Sequence, residues 1–502
     1  MAESKPSRKP ALVGWTLTAL ALMLLATAGW IRYRFGAIVF EQFILHIPLG
    51  GGGAGDDSLV FEAFVVCVLI PLGLVGMAVL LRQQRGWRLA GRRRVVLPSL
   101  ALIASLSLLL TVVGLPKYAA AQLDGRSFAA YYTTPELGAA PEHSRNLITI
   151  YLESMENTYG DADLFGRNLL SELDEATDGW ARYDTLTQYP EGGWTMAGIV
   201  STQCAIPLKS RLLVEGIDPN KFGEQMENYL PGATCLGDLL ADAGYSNTYV
   251  GGANTRFAGK DTFLGDHGYR AIRGREWWEA GEDPSEISVW GLSDHRMFAH
   301  AAETLDALRA TGRPYHLTML SLDTHEPGGV YPSCSTDDAV PMATAITCST
   351  RALAGFLAHL EEVGALEDTV VVVMGDHLKS TAEGGFYKTE LDGTADRTIV
   401  LRIWSPDPVE FSRERADQFS VLPTILELMG FEPPEGRAGL GVSFVGSHPL
   451  TGTALELEPE EYASVVTSPS SDLYRTFWEP AAPEPTAPAP SPTEPRRGQP
   501  HQ

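Results

Sequence analysis

Three long apolar runs dominate the first part of the chain. They cover residues 11–31, 59–81 and 95–115, and each is at least 21 residues long. A helix needs roughly 20 apolar residues to cross the hydrocarbon core of a bilayer. Three such runs in succession are typical of membrane spans rather than of buried core helices. Arginines follow the first run where a signal peptide would have small residues. The pattern therefore predicts three transmembrane helices.

Basic residues next to these runs predict their orientation. They lie at the N-terminus and between the second and third runs, at Lys5, Arg8, Lys9, Arg82, Arg85, Arg88, Arg92, Arg93 and Arg94. Lys and Arg are enriched on the cytoplasmic side of membrane helices. We therefore expect a multi-pass protein of the cytoplasmic membrane, with everything after the third run on the extracytoplasmic face.

Beyond residue 145 the pattern changes to short apolar strands that alternate with helical segments. Strands are predicted at 147–152, 246–250, 315–322 and 369–374. This alternation is typical of an α/β fold with a mostly parallel central sheet. These strands are much shorter than the membrane runs. The change in length marks the boundary between the anchor and an outer domain.

Composition refines this division of the chain. We expect a membrane anchor at 1–120, a connector at 121–144, a catalytic domain at 145–450, an extension at 451–479 and a disordered tail, rich in Pro, Ala, Glu and Thr, at 480–502. The anchor carries 12 Lys/Arg and 5 Asp/Glu, a net charge of +7, and the remainder carries 26 Lys/Arg and 57 Asp/Glu, a net charge of −31. An acidic outer domain excludes nucleic acid as a partner, because its phosphates need a basic surface.

Four of the five cysteines fall in the predicted outer domain, where oxidation is allowed. Four cysteines permit three pairings. Pairing between sequence neighbours closes short loops and predicts bridges Cys334–Cys348 and Cys204–Cys235. Metal binding by these cysteines is the alternative, although the sequence has no Cys-x-x-Cys or Cys/His cluster.

Charged residues follow three of the predicted strands. Glu153 follows the first, His325 comes shortly after the third, and Asp376 and His377 follow the last. In open α/β sheets, ligands bind beyond the carboxyl ends of the strands. Carboxylate and imidazole ligands suit Mn, Zn or Mg better than Ca. Glu153, Asp376 and His377 are therefore candidate metal ligands, with a structural ion pair or a solvated turn as the alternative.

A candidate nucleophile, Thr195, follows two glycines in the segment 190–200. The glycines allow a tight turn, and the apolar stretch after them is compatible with a helix. Free N–H groups at a helix N-terminus favour a phosphate or an oxyanion. A threonine alkoxide beside a divalent cation can attack phosphorus. The alternative is a threonine that only caps the helix.

Six segments occur in the order found in a known family. They read NLITIYLESMENTYGD (146–161), GGWTMAGIVSTQCAIPL (192–208), RFAGKDTFLGDHGY (256–269), WGLSDHRMF (290–298), LDTHEPGG (322–329) and VVVMGDHL (371–378). Together they resemble the family of phosphoglycerol transferase I and, more distantly, lipoteichoic acid synthase. This family is a sulfatase-like branch of the alkaline phosphatase superfamily. The resemblance spans roughly residues 143–450 and implies an alkaline phosphatase/sulfatase-like domain behind the membrane anchor.

The resemblance also implies roles for single positions. Glu153, Asp376 and His377 match metal ligands, and Thr195 matches the nucleophile that also contacts the metal. It favours one divalent ion, manganese over zinc or magnesium. His325 matches a histidine that contacts the phosphoglycerol group.

Three further positions concern substrate binding. Lys260 stands where the synthases have an arginine in the donor pocket, so a point charge replaces a bidentate fork. Asn254 is an additional pocket candidate. Glu326 departs from relatives that often have a second histidine there, which leaves the choice of acceptor open.

The chemistry that the resemblance implies is a two-step transfer. Thr195 attacks the phosphorus of phosphatidylglycerol, a membrane lipid, and releases diacylglycerol. The glycerophosphate then passes from the threonine to a hydroxyl of an envelope glycan or glycolipid.

Other readings stay open. A sulfatase needs a Cys/Ser-x-Pro-x-Arg motif, which the sequence lacks, and residues 204–207 have the wrong spacing. A phosphoethanolamine transferase, or a phosphodiesterase that uses water as the acceptor, would share the fold. A catalytically silent envelope scaffold would have no need for the complete Glu/Thr/Asp/His set.

Overall fold

The structure is a computed structural model. It describes residues 9–45, 57–85, 93–123, 125–141, 143–209, 226–334, 336, 338–381 and 385–479. The predicted tail at 480–502 lies outside the described residues, as does the part of the arginine-rich loop between 85 and 93.

The three apolar runs are helical, as predicted. Their elements are Lys9–Phe35 for the first run, Asp57–Phe64, a π-helical turn Val65–Leu69 and Ile70–Arg85 for the second, and Arg93–Val112 for the third. Each run is long and apolar enough to cross a membrane. The π-helical turn ends just before Pro71, whose missing N–H would otherwise interrupt the helical hydrogen bonds. Two shorter helices, Phe40–Leu45 and Leu115–Leu123, follow the first and third runs.

Contacts between the first two runs are consistent with the predicted antiparallel path. Trp30 Nε1 donates a hydrogen bond to Glu62 Oε1 at 2.9 Å, and Arg34 lies 3.6 Å from the other oxygen of Glu62. The end of the first run and the start of the second therefore lie at the same level.

A seven-stranded sheet forms the centre of the outer domain. The eleven described strands are β1 (Asn146–Leu152), β2 (Ala181–Arg182), β3 (Leu186–Thr187), β4 (Ser246–Gly251), β5 (Tyr269–Arg273), β6 (Tyr315–Leu320), β7 (Thr369–Gly375), β8 (Leu401–Trp404), β9 (Ala416–Asp417), β10 (Arg437–Ala438) and β11 (Gly441–Val442). The order in the large sheet is β2-β8-β7-β1-β6-β4-β5. Strands β7, β1, β6, β4 and β5 run parallel, and β8 runs antiparallel to both β7 and β2. The predicted mostly parallel α/β fold is confirmed.

Helices cover both faces of this sheet. The α-helices of the outer domain among the described residues are Ala162–Phe165, Ser171–Ala176, Thr195–Cys204, Leu236–Asp242, Lys260–Asp266, Arg275–Trp278, Asp294–Arg309, Pro341–Glu362, Lys388–Asp392, Val421–Leu428, Pro459–Val466 and Ser471–Trp478. Alternate side chains of β1 enter two different cores: Leu147 and Tyr151 on one face, Ile148 and Ile150 on the other. Burial on both faces explains why this strand reads as a nearly continuous apolar run.

Two disulfide bridges, Cys204–Cys235 and Cys334–Cys348, are present, and both predicted pairings are confirmed. The first joins the end of the Thr195–Cys204 helix to the residue before the Leu236–Asp242 helix. The second ties a loop to the Pro341–Glu362 helix.

Loss of a bridge is expected to destabilise the outer domain. The Cys334–Cys348 bridge closes a sequence separation of 14 residues, and the chain-entropy model gives roughly 3 kcal/mol for a loop of this size. The double variant Cys334→Ala/Cys348→Ala should therefore unfold at a lower temperature than the parent under non-reducing conditions. Cys67→Ala removes a free thiol and serves as the control. Equal melting of the double variant and the parent would contradict the expectation.

Candidate active site

The register of the central strands brings two carboxylates side by side. In the β1–β7 pair, Leu152 lies opposite Gly375. The next residues along the two strands are Glu153 and Asp376, and the N–H of Asp376 donates to the carbonyl of Leu152 at 3.2 Å. The spacing of these two side chains is thus set by the hydrogen-bond ladder of the sheet.

Glu153, Asp376 and His377 form a compact buried cluster. One ligand atom from each lies within 4.8 Å of the others. His377 Nε2 is 3.5 Å from Glu153 Oε1 and 3.5 Å from Asp376 Oδ2. The other ring nitrogen, Nδ1, lies 2.8 Å from the carbonyl of Leu378. A proton on Nδ1 would satisfy that carbonyl and leave Nε2 as a lone pair directed at the carboxylates, the usual arrangement of a metal-binding histidine.

The electrostatics of the cluster fit a divalent cation. Burial and the neighbouring charge of Glu153 raise the pKa of Asp376 to about 7. Burial also acts to raise the pKa of Glu153, but His377, His325 and hydrogen bonds outweigh it, so the pKa of Glu153 lies below its ordinary value. Asp376 Oδ2 is buried without a hydrogen-bond partner in the described structure. Two adjacent buried carboxylates with an unsatisfied oxygen need a compensating positive charge, and this donor set suits one divalent ion.

Thr195 faces this cluster from the first turn of its helix. It is the first residue of Thr195–Cys204, directly after Trp194 in an extended conformation. Its Oγ1 donates to Glu153 Oε2 at 3.2 Å, and its side chain is only partly buried. The hydroxyl therefore lies between the buried cluster and accessible space. The N–H groups of the first helical turn lie beside it and can bind an anion by donating hydrogen bonds to it.

The Thr195–Cys204 helix packs directly on the backbone of Asp376. A Cβ atom on Gly198 would lie 2.0 Å from the carbonyl oxygen of Asp376. The same oxygen accepts a hydrogen bond of 2.8 Å from Gln418 Nε2. Glycine is required here by close approach, since any side chain would separate helix and strand.

Lys260 brings a positive charge towards the cluster. It begins the Lys260–Asp266 helix and is 3% exposed, which is rare for lysine. Burial lowers the pKa of its ammonium, while attraction to Glu153 and Asp376 opposes that change. The ammonium also lies 6.0 Å from the ring centre of Tyr249. A buried lysine held by these interactions can bind an anionic group next to the carboxylates.

His325 and Asn254 differ in their contacts. The His325 ring is 4.2 Å from the ring of Trp290, and its charge acts on Glu153. Asn254 instead accepts a hydrogen bond from the N–H of Arg256 in its own turn, and no contact among the described residues joins it to the cluster. Glu153, Thr195, Asp376 and His377 thus lie together, and the charges of Lys260 and His325 act on Glu153. The role of Asn254 stays a prediction.

Glu326 supports a loop of the site. Its Oε2 forms an ion pair with Lys379 Nζ, and its Oε1 accepts a hydrogen bond of 3.1 Å from the N–H of Phe386. Both partners lie in the chain that follows His377. The carboxylate thus holds the two loops that carry His325 and His377 against each other.

Several supporting residues were not predicted. Ser154 has a φ of 52° and donates from Oγ to Glu153 Oε1 at 2.7 Å and from its N–H to Asp376 Oδ1 at 2.8 Å. Ser154 lies inside the Glu-Ser-x-Glu segment, and this position is the only feature of the sequence that could have indicated its role. Asp294 accepts from the N–H groups of Leu322 and Asp323 at 2.6 and 3.2 Å, and so fixes the loop that leads to His325.

A second Cys/Asp/His group is structural. Cys235, Asp238 and His267 lie close together, but Cys235 is in a disulfide bridge. Asp238 Oδ2 accepts from the N–H of Cys235 at 2.9 Å and lies 2.7 Å from His267 Nδ1. The predicted alternative of metal binding by the bridged cysteines is not supported here.

Comparison with known proteins identifies relatives of this chain. Residues 145–431 match the family model described as Sulfatase. Phosphoglycerol transferase I of Xanthomonas axonopodis pv. citri (strain 306) is 31% identical over 452 residues, which cover 86% of this chain and 61% of that protein. Phosphoglycerol transferase I of Salmonella arizonae is 32% identical over 346 residues, which cover 67% of this chain and 43% of that protein. The chain thus spans about half the length of the curated relatives it matches.

Solved structures with a related fold were also found. Lipoteichoic acid synthase LtaP from Listeria monocytogenes is 17% identical, with a TM-score of 0.47, over 63% of this chain and 78% of that chain. The zinc complex of the C-terminal periplasmic domain of EcEptC from Escherichia coli is 13% identical, with a TM-score of 0.41, over 61% of this chain and 87% of that chain.

Proposed function

This chain belongs to the sulfatase family, and we propose that it is a membrane-bound phosphoglycerol transferase. In this proposal it moves glycerophosphate from phosphatidylglycerol to a hydroxyl of an envelope glycan or glycolipid. The observation that carries the proposal is the Thr195 hydroxyl, which stands at a helix N-terminus and donates to Glu153 in the buried cluster. The names of the curated relatives supply the transferred group.

The first proposed step forms a bond from Thr195 Oγ to phosphorus and breaks the bond from phosphorus to the diacylglycerol oxygen. Glu153, Asp376, His377 and Thr195 would hold one divalent ion, proposed to be manganese. When bound, this ion would offset negative charge on the phosphoryl oxygens and on the Thr195 oxygen. Glu153 Oε2 accepts a hydrogen bond from the Thr195 hydroxyl in the described geometry. The proton that this hydroxyl loses passes to solvent, and the departing diacylglycerol oxygen takes up a proton from solvent.

The second step is the reverse displacement by an acceptor hydroxyl. The acceptor oxygen forms a bond to phosphorus, the Thr195 Oγ–phosphorus bond breaks, and the threonine hydroxyl is restored. In both steps Lys260 and the first N–H groups of the Thr195–Cys204 helix hold the anionic phosphodiester. His325 would contact the glycerol part, with Trp290 supporting its ring.

The proposed location is the cytoplasmic membrane, with the catalytic domain on the extracytoplasmic face. Three apolar helices and the arginines next to them support a multi-pass anchor in this orientation. Two disulfide bridges in the outer domain fit an oxidising compartment. Donor lipid and envelope acceptor would both be accessible from this side.

A headgroup panel tests the proposal. The purified full chain, loaded with Mn²⁺, is mixed with vesicles of phosphatidylglycerol, phosphatidylethanolamine or phosphatidylcholine, with and without a glucan or glycolipid acceptor. We expect diacylglycerol release from phosphatidylglycerol to exceed release from the other lipids by about tenfold or more, with glycerophosphate on the acceptor. Faster release from phosphatidylethanolamine would indicate the phosphoethanolamine transferase. Free glycerophosphate regardless of acceptor would indicate a hydrolase, and no release from any lipid would indicate a scaffold.

A further inference from the structure

A cavity of about 560 Å³ lies where the membrane helices meet the outer domain. Its volume falls in the range of about 300–1,000 Å³ that is typical of small-molecule sites. One wall comes from the segment after the first span and from the Leu115–Leu123 helix after the third span. The opposite wall comes from the chain that leads to Thr195. We call this space the junction cavity.

The domain side of the junction cavity belongs to the active-site loops. Its wall includes Gln188, Gly193 and Trp194. Trp194 directly precedes Thr195 in the chain. Gln188 Oε1 accepts a hydrogen bond of 2.8 Å from the N–H of Leu378, the residue after His377. The junction cavity is therefore lined by the residue directly before Thr195 and by a side chain that is hydrogen-bonded to the residue after His377.

The anchor side of the junction cavity has the composition of a membrane interface. Its wall includes Ile38, Val39 and Phe40, together with Lys117 and Tyr118. The rings of Phe40 and Tyr118 lie 4.8 Å apart, and Lys117 is exposed. Aromatic and basic side chains are enriched where a membrane helix leaves the hydrocarbon, and lysine there attracts anionic lipid. The composition of this wall is the one expected at the level of the lipid headgroups.

A substrate that joins these two walls must have one end in the bilayer and the other at Thr195. A diacyl lipid keeps its tails in the hydrocarbon, because each methylene moved into water adds to the cost of extraction. Its phosphodiester can reach Thr195 only through a space that is continuous with the membrane surface. Within the described residues, the junction cavity is a space with walls from the segments that follow the first and third spans and from the chain that leads to Thr195.

We propose that the junction cavity holds the glycerol backbone and the first acyl carbons of a membrane glycerophospholipid, with its phosphodiester directed at Thr195. This inference rests on the proposed function, since that lipid is the donor. Ile38, Val39 and Phe40 contact the acyl carbons. Gln188 and Gly193 lie on the domain side of the same space.

Filling the junction cavity tests this inference. Ala121 lines the cavity on the Leu115–Leu123 helix, and Ala119, two residues earlier and exposed, points to a different side of that helix. In the full chain, Ala121→Trp should lower diacylglycerol release from dioleoyl phosphatidylglycerol vesicles by about tenfold or more. Turnover of a soluble p-nitrophenyl ester of glycerophosphate should stay within about twofold. Ala119→Trp should leave both reactions within that limit. An equal loss of both activities in Ala121→Trp, or no loss of either, would overturn the inference.

A labelling experiment separates this inference from the proposed function. Phosphatidylglycerol with a photoactivatable diazirine early in one acyl chain is illuminated with wild type and with Ala121→Trp. We expect labelled peptides from segments 37–42 and 114–121 in wild type, and much weaker label in the variant. Unchanged labelling of the variant, or label elsewhere only, would reject the junction cavity as the lipid site. Specific labelling without diacylglycerol release would instead support the junction cavity and refute the transferase.

Discussion

Replacing Thr195 by alanine is expected to reduce turnover by about four to six orders of magnitude, as for other lost nucleophiles. The substitution removes the only oxygen at this position that can bond to phosphorus, while the backbone N–H groups of the helix stay in place. Thr195→Ser keeps a hydroxyl and should retain partial activity. Both variants are assayed with phosphatidylglycerol vesicles at saturating metal, because Thr195 is also a proposed ligand.

Thr202 offers a matched control on the same helix. Its Oγ1 bonds the carbonyl of Gly198 at 2.8 Å and the hydroxyl of Tyr151 at 2.7 Å, so Thr202→Ala removes a hydroxyl without removing the proposed nucleophile. Wild type incubated with donor and no acceptor should gain one glycerophosphate mass on the peptide that contains Thr195. Near-normal diacylglycerol release by a folded, metal-loaded Thr195→Ala protein would refute the covalent step and favour direct attack by water or an acceptor hydroxyl.

Replacing Asp376 by alanine is expected to remove the bound metal and nearly all turnover. Loss of a side chain that only positions a metal ligand lowers metal affinity or activity by about 10–100-fold. Loss of a side chain that itself binds the metal should lower them further. Removal of Asp376 also leaves Glu153 and His377 without the carboxylate that lies 3.5 Å from the imidazole. Metal content by mass spectrometry and turnover at increasing Mn²⁺ measure the two effects separately.

Asp174→Ala controls for general damage to a charged network. Asp174 forms ion pairs with Arg182 and Arg402 and is not part of the cluster. Its loss should lower stability by about 1–3 kcal/mol at most, with metal content unchanged. Full metal occupancy in the Asp376→Ala protein would take Asp376 out of the ligand set, whatever its activity.

The centre of the site could be predicted because it follows from strand order. Parallel strands place their carboxyl ends at one edge, so residues directly after β1 and β7 meet wherever these strands pair. For that reason, the proximity of Glu153 and Asp376 could be predicted from the strands alone. The helix that begins at Thr195 could also be predicted, because two glycines before an apolar stretch are a local sequence signal. The α/β class and the three apolar helices followed from hydrophobic periodicity alone.

The surroundings of the site could not be predicted from such patterns. The predicted strand 315–322 ends at Leu320, because Leu322 bonds the carboxylate of Asp294 instead of a neighbouring strand. That partner lies 28 residues away in the chain, beyond any local pattern. The resemblance alone placed Lys260 in the site, because lysine is a surface residue by type and only tertiary packing buries this one. Asn254 was likewise taken from the resemblance, and its role stays a prediction.

The close packing at Gly198 makes one part of the site more rigid than the rest. Lys260, at a helix start, and Glu326, in a loop, are held through long side chains that have some freedom to readjust. The helix of Thr195 has no such freedom, because a Cβ atom on Gly198 would collide with the carbonyl of Asp376. The distance between Thr195 and the backbone of Asp376 is therefore fixed by main-chain packing and does not depend on the side chains around the site.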